Sequence, residues 1–179
     1  MISWARAISN KEEPAVMMPR PANCPALVRL VRDRLCGPLK FYHQMDSNVG
    51  LMKLIPSADA SLLDYMAAHY NAVIIESFGV GGLPSYDNGG DYYRAVAHWI
   101  SLGKTVIMTT QVTNEGSNMS VYEVGKKIKR EFGLLEAYDM TLEAAVTKIM
   151  WILTQTREPE KVRELFYQTV NHDILWKSS

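Results

Sequence analysis

Two short segments carry the side chains that could do chemistry. Thr109-Thr110-Gln111 ends an apolar run and offers two hydroxyls and a carboxamide, each able to donate and accept hydrogen bonds. Ser77 follows another apolar run and precedes a glycine-rich segment that contains Gly81 and Gly82. These groups suit the amide or carboxylate of a small ligand. Alternatively, they only cap the loops in which they stand.

The glycine segment does not have the spacing of a nucleotide site. Gly79-Val80-Gly81-Gly82 departs from G-x-G-x-x-G, no Lys-Ser/Thr pair follows it, and Pro84 intervenes before any helix. We therefore predict a tight turn in which glycines adopt positive φ, in preference to a dinucleotide-binding loop.

Other reactive residues are scattered. Glu76 and Glu115 are the carboxylates nearest the two loops, and we expect each to be a solvated surface group, although paired carboxylates can perform acid-base chemistry. The four histidines form no recognised nucleophile motif. Cys24 and Cys36 have no histidine at a ligand spacing and are interpreted as reduced, structural thiols. We predict no metal site and no cofactor.

Composition limits the class of protein. The 179 residues are 47% hydrophobic and 21% charged, which is typical of one globular domain. Lys+Arg and Asp+Glu are equal at 19 each, which argues against nucleic acid or an anionic membrane as the main partner. Because the net charge is zero, electrostatic repulsion does not oppose association with another copy of the chain. No apolar run reaches the ~20 residues of a membrane span, and no signal-peptide pattern begins the chain, so a cytoplasmic location is expected.

The chain divides into two regions. Residues 1–47 are rich in proline and are interpreted as a linker remnant or arm, with one short amphipathic stretch at 26–35. Residues 48–179 form the predicted domain. Apolar runs predict strands at 51–55, 72–75 and 104–110, and a short fourth strand that begins at 134–135. Helical periodicity or capping residues predict helices at about 57–67, 91–102, 121–132, 141–155 and 158–166, with Thr141 as the N-cap of the fourth.

This alternation predicts a fold. Strand–helix repeats are typical of an α/β, small doubly wound (Rossmann/flavodoxin-like) three-layer domain with a parallel sheet of about four strands. Ligands of such sheets bind outside the carboxyl ends of the strands, which nominates the loops at 77–84 and 109–117.

Several ordered motifs resemble one family. Residues 71–84, an apolar strand that runs into a Gly-x-Gly-x-x-Pro loop, resemble the asparaginase segment that ends in Gly-x-Gly-Asn-x-Pro. Residues 103–111 resemble that family's next strand, which ends in Thr-Gln, and residues 139–148 resemble its Met-Thr-x-Glu-Ala helix start. The resemblance covers roughly residues 50–170. It identifies the chain as similar to the C-terminal domain of L-asparaginases, with a leaning to the cytoplasmic type I enzymes.

The resemblance implies an activity and a partner. Such enzymes convert L-asparagine to L-aspartate and ammonia through an acyl-enzyme on a threonine, and their catalytic threonines lie in an N-terminal domain, within Thr-Gly-Gly-Thr and Thr-Asp motifs. This sequence contains neither motif. We therefore expect no catalytic residue here, no activity of the chain alone, and a need for the missing N-terminal domain. A homodimer or higher homo-oligomer is the expected assembly.

In that family the C-terminal domain contributes dimer contacts, residues that reach a neighbouring active site and, in some type I members, an effector asparagine site. The resemblance therefore implies a small amino acid as the candidate ligand. The candidate ligand-binding residues are Ser77, Gly81, Gly82, Thr110, Gln111 and Glu115.

Three departures from the family pattern disfavour effector binding. Gly82 replaces an asparagine, Val112 replaces a cysteine, and Glu76 replaces an arginine. The last change matters most, because a carboxylate repels the carboxylate of an amino acid. The alternatives are an amino-acid-binding or assembly module without catalysis, or an independent nucleotide-binding protein.

Overall fold

The computed structural model describes residues 42–84, 89–112, 116–121, 123–170 and 173–174. The strands are β1 (Val49–Lys53), β2 (Ala72–Ser77), β3 (Thr105–Thr110) and β4 (Leu135–Glu136). The helices are α1 (Ser61–His69), α2 (Gly89–Ser101), α3 (Glu123–Phe132), α4 (Leu142–Leu153) and α5 (Pro159–Tyr167), and a 3-10 turn spans Met119–Val121. The predicted amphipathic stretch at 26–35 lies outside the described residues.

The four strands form one parallel sheet in the order β1-β2-β3-β4. Ala72 pairs with Thr105 and Ser77 pairs with Thr110, so β2 and β3 begin and end together. Both strands are buried on both faces, as continuous apolar runs in parallel sheets are. The α/β class and the four-stranded parallel sheet predicted from the sequence are confirmed.

Helices cover both faces of the sheet. One hydrophobic cluster joins alternate strand residues such as Val73 and Met108 to side chains of α1 and α2, including Leu63 and Trp99. The second cluster joins Ile74 and its neighbours to α4 and α5. The consecutive strand order explains the layers. Connections between neighbouring parallel strands have the same hand, so the helices that join β1 to β4 lie on a single face of the sheet. The two helices that follow β4, α4 and α5, cover the other face.

The first strand is shifted relative to the prediction, which placed it at 51–55. It occupies Val49–Lys53, and its bonding to β2 continues through Leu54, whose amide donates to the Glu76 carbonyl over 2.9 Å. Ile55 projects into solvent, and Ser57 turns the chain with a φ of 68°. The apolar side chain of Ile55 therefore belongs to the turn that leaves the sheet.

The buried face of α2 also differs from the prediction. Helical spacing favours an inward face made of Tyr93, Val96, Ala97 and Ile100. Val96 is fully buried as that spacing predicts, but the other three residues are only half buried. Trp99 is buried instead, and its indole Nε1 donates to the Leu63 carbonyl over 2.9 Å. The large indole packs into the core between α1 and α2, and the buried face of α2 lies one residue away from the face that periodicity favoured.

The starts of α4 and α1 agree more closely with the capping residues that the sequence offers. Thr141 caps α4 as predicted, because its side chain accepts a hydrogen bond from the Ala144 amide over 3.2 Å. At α1 the Asp59 carboxylate accepts the Ser61 amide over 2.8 Å, although the capping position itself is Ala60. None of the helices within the described ranges is long and apolar enough to cross a membrane.

Candidate functional site

The carboxyl ends of β2 and β3 bring the predicted loops together. The Gln111 amide donates to the Ser77 carbonyl over 2.9 Å, which extends the strand pairing into the loops. The Asn118 amide donates to the Val80 carbonyl over 2.6 Å, so the segment after β3 also contacts the glycine loop. Five of the six candidate ligand residues therefore lie at one edge of the sheet. Glu115 lies outside the described residues.

The two hydroxyls at this edge bond to the glycine loop. Ser77 is buried, and its Oγ donates to the Gly82 carbonyl. The Thr110 hydroxyl donates to the Gly79 carbonyl and accepts the Val112 amide over 3.0 Å. Both hydroxyls therefore stabilise the shape of the loop, which is the capping role that the sequence left open beside ligand binding.

Gln111 has a similar role. Its Nε2 donates to the Leu54 carbonyl over 2.5 Å and to the Glu76 carbonyl over 3.1 Å. The carboxamide thus joins the ends of β1 and β2 to the end of β3. The amide nitrogen of Gln111 is thus already used by two carbonyls. A contact of Gln111 with a ligand stays a prediction.

The glycine loop is a turn of the predicted kind. Gly79, Gly81 and Gly82 have φ values of 49°, 104° and 144°, a region that side chains strongly disfavour. The Gly81 amide donates to the Phe78 carbonyl over 3.0 Å and closes the turn.

Glu76 differs from the expectation of a solvated surface carboxylate. Its side chain is only 13% exposed, and Oε2 lies 3.4 Å from Lys53 Nζ on the neighbouring strand. The pairing places Glu76 and Lys53 opposite each other in the parallel register, and this brings the two charges together.

A buried charged cluster lies beside these loops at the end of β4. Glu136 is fully buried, and its carboxylate accepts the Met119 amide over 2.6 Å and the Lys129 ammonium over 2.5 Å. Lys129 Nζ also donates to the Tyr138 hydroxyl over 2.7 Å, and the Glu136 amide donates to the Tyr167 hydroxyl over 2.9 Å. The cluster joins β4, α3, α5 and the 3-10 turn.

Two of these groups have shifted pKa values. Burial by itself lowers the pKa of Lys129, but its hydrogen bonds to Glu136 and Tyr138 outweigh burial and leave the pKa raised. Burial raises the pKa of the Tyr167 hydroxyl. The ammonium of Lys129 and the neutral phenol of Tyr167 are therefore the forms that the fold stabilises.

The backbone next to this cluster is crowded. Tyr138 has a φ of 51°, which is uncommon for a residue with a side chain. Its carbonyl accepts the Ser117 amide over 2.8 Å. Gly116 has a φ of 70°, and a β-carbon there would lie 2.7 Å from the Tyr138 carbonyl oxygen. Only glycine lets these two segments approach so closely.

Sequence comparison decides the family. The Glutaminase/Asparaginase C-terminal domain family matches residues 48–166 of this chain, which is most of its length. The chain belongs to the glutaminase/asparaginase family. An L-asparaginase from Thermococcus kodakarensis is 33% identical over 138 residues, which cover 77% of this chain and 41% of that protein. A glutamyl-tRNA(Gln) amidotransferase subunit from Pyrococcus abyssi is 28% identical over 123 residues, which cover 68% of this chain and 27% of that protein.

Solved structures show the same fold. The thermostable L-asparaginase from Thermococcus kodakarensis superimposes with a TM-score of 0.73 at 31% identity, over 79% of this chain and 42% of that chain. L-asparaginase I from Vibrio cholerae gives a TM-score of 0.68 at 24% identity, also over 79% of this chain and 42% of that chain. This chain thus spans less than half the length of the relatives that it matches, and in those proteins the matched region is one part of a longer chain.

The carboxyl edge of this asparaginase-family domain also has charged residues that the sequence patterns did not nominate. Glu136 ends β4, of which the sequence indicated only the start at 134–135, so the rule that ligands bind at the carboxyl ends of strands was not applied to it. Lys129 lies on α3 and meets Glu136 only in the folded chain, so no sequence signal marked it. The described residues contain no group of three or more His, Cys, Asp or Glu that could hold a metal ion.

An open pocket of about 600 Å³ lies at the opposite edge of this family domain, lined in part by His43, Asp46 and Arg157. The Asp46 carboxylate is already occupied there, by the Asn48 amide over 2.9 Å and by Asn71 Nδ2 over 2.9 Å. This pocket is at the amino ends of the strands, away from the glycine loop, and we assign it no role in chemistry.

The crowding at Gly116 gives a testable expectation. Gly116→Ala should lower the free energy of unfolding more than Gly103→Ala, because both glycines have positive φ but only Gly116 has a carbonyl where the β-carbon would stand. The backbone strain in Gly103→Ala should cost about 1–2 kcal/mol. Urea unfolding of both variants measures the difference. Equal losses would show that Tyr138 moves away without cost.

Proposed function

We propose that this chain is the C-terminal domain of an L-asparaginase-type amidohydrolase, which converts L-asparagine to L-aspartate and ammonia. The nucleophilic hydroxyl comes from an N-terminal domain, supplied either by the same polypeptide or by another chain. The observation that carries the proposal is the alignment with the Thermococcus kodakarensis L-asparaginase, which is 33% identical over 77% of this chain.

The hydrogen bonds of the threonine side chains support the proposal that the nucleophile lies in another domain. A threonine hydroxyl becomes a nucleophile when a side-chain base takes its proton. In the described ranges the hydrogen bonds of threonine hydroxyls all join backbone atoms, at Thr110, Thr141, Thr147, Thr154 and Thr156. These bonds fix loops and helix ends and do not supply the side-chain base that a nucleophilic hydroxyl needs.

The carboxyl edge of the sheet is the surface that would face a catalytic domain. The glycine loop is fixed by Ser77, Thr110 and Gln111, so the domain presents a preorganised backbone there. Phe78 and Gly79 at the tip of the loop are exposed. A rigid loop with an exposed tip can complete the site of another domain at little cost in conformational entropy.

A second function is favoured by the relatives that are subunits of glutamyl-tRNA(Gln) amidotransferases. Several such subunits align with this chain at 26–29% identity, over 68–83% of its length. The alternative is therefore that the chain belongs to an amidotransferase subunit instead of a free-standing asparaginase. Assembly through a homodimer stays a prediction in either case, and size-exclusion chromatography with light scattering tests it.

A chimera tests the proposed function. The segment of the Thermococcus kodakarensis L-asparaginase that aligns with this chain is replaced by residues 48–166, and ammonia release from L-asparagine and L-glutamine is measured. We expect kcat/KM for asparagine within about tenfold of the parent enzyme, a difference of about 1.4 kcal/mol in transition-state binding. The same enzyme without any C-terminal segment is the control and should be inactive.

Two other results would contradict the proposal. Steady ammonia release by this chain alone would show that it carries its own nucleophile. A folded chimera that hydrolyses glutamine and not asparagine would favour the amidotransferase alternative.

A further inference from the structure

A row of four aliphatic side chains crosses the face of the sheet on which α4 and α5 pack. Leu51 of β1 aligns with Ile74 of β2. Ile74 aligns with Ile107, and Ile107 aligns with Leu135. Ile74 and Ile107 are fully buried and Leu135 is 4% exposed, because they belong to the second hydrophobic cluster. Leu51, at the end of the row, is 46% exposed, so among the described residues this face is covered over β2, β3 and β4 but open over β1.

Strand alternation gives the same face for Leu51. Val49 packs against the second cluster, and residues two apart in a strand point to the same side of the sheet. Met52 points to the other side, where it belongs to the first cluster with α1 and α2. Leu51 therefore lies beside α4, at the end of a buried row, and differs from an isolated apolar residue on a polar surface.

The sheet topology explains why β1 lacks a cover on this side. Connections between neighbouring parallel strands have one hand, so the helices between β1 and β4 all lie on the opposite face. Within one chain, the face over Leu51 can then be covered only by residues after β4 or before β1. The helices α4 and α5 follow β4 and cover the other three strands. A cover for β1 is therefore expected from the residues before it.

The chain enters the described domain on this same face. The Tyr42 ring lies 5.1 Å from the Trp151 ring on α4, and the Asp46 amide donates to the Met150 carbonyl of that helix over 2.9 Å. Residues 42–46 thus pack against α4 before the chain turns into β1. The residues that precede Tyr42 reach the domain beside α4, on the side where Leu51 is open.

One segment before Tyr42 has a sequence suited to this position. Apolar residues recur at helical spacing along it, at Leu27, Leu30, Val31 and Leu35. Arg29 and Arg32 fall on the opposite side of such a helix. Pro25 suits the first turn, and Gly37 followed by a proline suits the end.

The lengths of the segment and of its connection also fit. A helix over 26–35 is about 15 Å long, and a strand of the length of β1 spans about 16 Å. Residues 36–41 reach about 20 Å when extended, which is enough to lead from the end of that helix back to Tyr42.

We propose that residues 26–35 form an amphipathic helix that packs over β1 beside α4 and covers Leu51. The occupant of this face is thus a segment of the same chain, and the segment that composition assigns to a linker is the last element of the second layer. A second copy of the chain and a separate domain are the competing occupants, and the experiment distinguishes them.

The test measures the reactivity of a single thiol in the complete chain. Cys24→Ser and Cys36→Ser remove the native thiols from every variant. Leu51→Cys reports on the open face, and Leu102→Cys, at a residue that is 49% exposed just after α2, is the reference for an uncovered position. Alkylation by iodoacetamide is followed by mass spectrometry over an about hundredfold range of protein concentration.

Two further substitutions probe the segment itself. Leu30→Asp places a charge on its apolar side, and Arg29→Gln on its polar side is the matched control, since each lowers the net charge by one. We expect Leu51→Cys to react at least about tenfold more slowly than Leu102→Cys at every concentration, because a packed side chain reacts only when its cover opens. Leu30→Asp should bring the two rates within about twofold of each other, and Arg29→Gln should leave the slow rate unchanged.

Thermal unfolding gives a second readout that needs no new thiol. Leu51→Ala should lower Tm by about 2–4 °C in the wild-type chain and by less than about 1 °C in the Leu30→Asp chain, since the contact is already lost there. Equal shifts in the two chains would contradict the proposal.

Three labelling results would also overturn it. Equal rates for Leu51→Cys and Leu102→Cys would mean that nothing covers the face. A slow rate that increases on dilution would mean that a second copy covers it. A slow rate that Leu30→Asp does not change would mean that another segment covers it. The chimera contains only residues 48–166 of this chain, so its ammonia release tests the proposed function independently of this segment.

Discussion

Asp173→Asn is expected to lower the free energy of unfolding by about 3–5 kcal/mol, because it leaves a buried ammonium without its counter-charge. Lys148 and Asp173 are 0% and 1% exposed, and their charged atoms lie 2.6 Å apart. Lys148 Nζ also donates to the Gln168 carbonyl over 2.8 Å, and the Asp173 carboxylate accepts the Val170 amide over 2.7 Å. The pair thus holds the segment after α5 against α4.

An exposed pair gives the matched control. Lys161 and Glu164 also lie 2.6 Å apart, but their side chains are 49% and 65% exposed. Lys161→Met should therefore cost no more than about 0.5 kcal/mol. The double variant Lys148→Met/Asp173→Leu should recover most of the stability that Asp173→Asn loses, since it removes both buried charges. Urea unfolding at pH 7 measures all three, and a loss below about 1 kcal/mol in Asp173→Asn would contradict the expectation.

The pH dependence of the same pair has a definite sign. Burial lowers the pKa of Lys148 below its usual value of 10.5. Between the lowered folded pKa and the unfolded value, the unfolded chain binds more protons than the folded protein, so this lysine makes the free energy of unfolding rise with pH. The rise should be absent in Lys148→Met.

Lys129→Met is expected to lower the free energy of unfolding by about 3 kcal/mol at pH 7, because Glu136 then stays buried without its cation. Among the described residues, the Glu136 carboxylate would then accept a hydrogen bond only from the Met119 amide. That bond fixes the 3-10 turn next to Ser117, so we also expect the Ser117 amide resonance to shift. The loss of stability and the disturbance of the carboxyl edge share one cause.

The stability that Lys129 contributes also depends on pH in the alkaline range, because the pKa of Lys129 is raised. A raised folded pKa means that the stabilisation is fully present below the unfolded value of 10.5 and is lost as the pH rises through the folded pKa. The difference between the wild-type chain and Lys129→Met should therefore be constant from pH 7 to about 10 and should shrink above 10.5.

Arg130→Met is the control for Lys129→Met. Arg130 is exposed on the same helix, and its replacement removes one positive charge without touching the buried cluster. We expect a change within about 0.5 kcal/mol. If Lys129→Met cost no more than Arg130→Met, the buried pair would contribute nothing to stability.

Much of the fold could be predicted because local patterns of residues determine its strands and helices. Apolar runs marked β2 and β3, which are buried on both faces, and Thr141 marked the start of α4. Strand–helix alternation then left few topologies for a parallel sheet. The loops at the carboxyl ends, and with them Ser77 and Thr110, were nominated by the same rule.

Side-chain orientation was less predictable from periodicity. In α4 the buried set includes Lys148, which no hydrophobic pattern would nominate, because Asp173 meets its charge from 25 residues away. In α2 the indole of Trp99 reaches the Leu63 carbonyl, 36 residues earlier. Each of these outcomes depends on a partner that is distant in the sequence.

The sequence by itself therefore determined the class of fold and the succession of its elements, and it nominated the carboxyl edge of the sheet as the place for a ligand. Tertiary structure decided which polar groups at that edge are already used. Thr110 bonds to a carbonyl 31 residues away, while Ser117 stays unpaired within the described part of the chain. The physical reason is that periodicity and propensity act over one turn of helix or one strand, whereas a hydrogen bond is satisfied by whichever group the packed chain brings within reach.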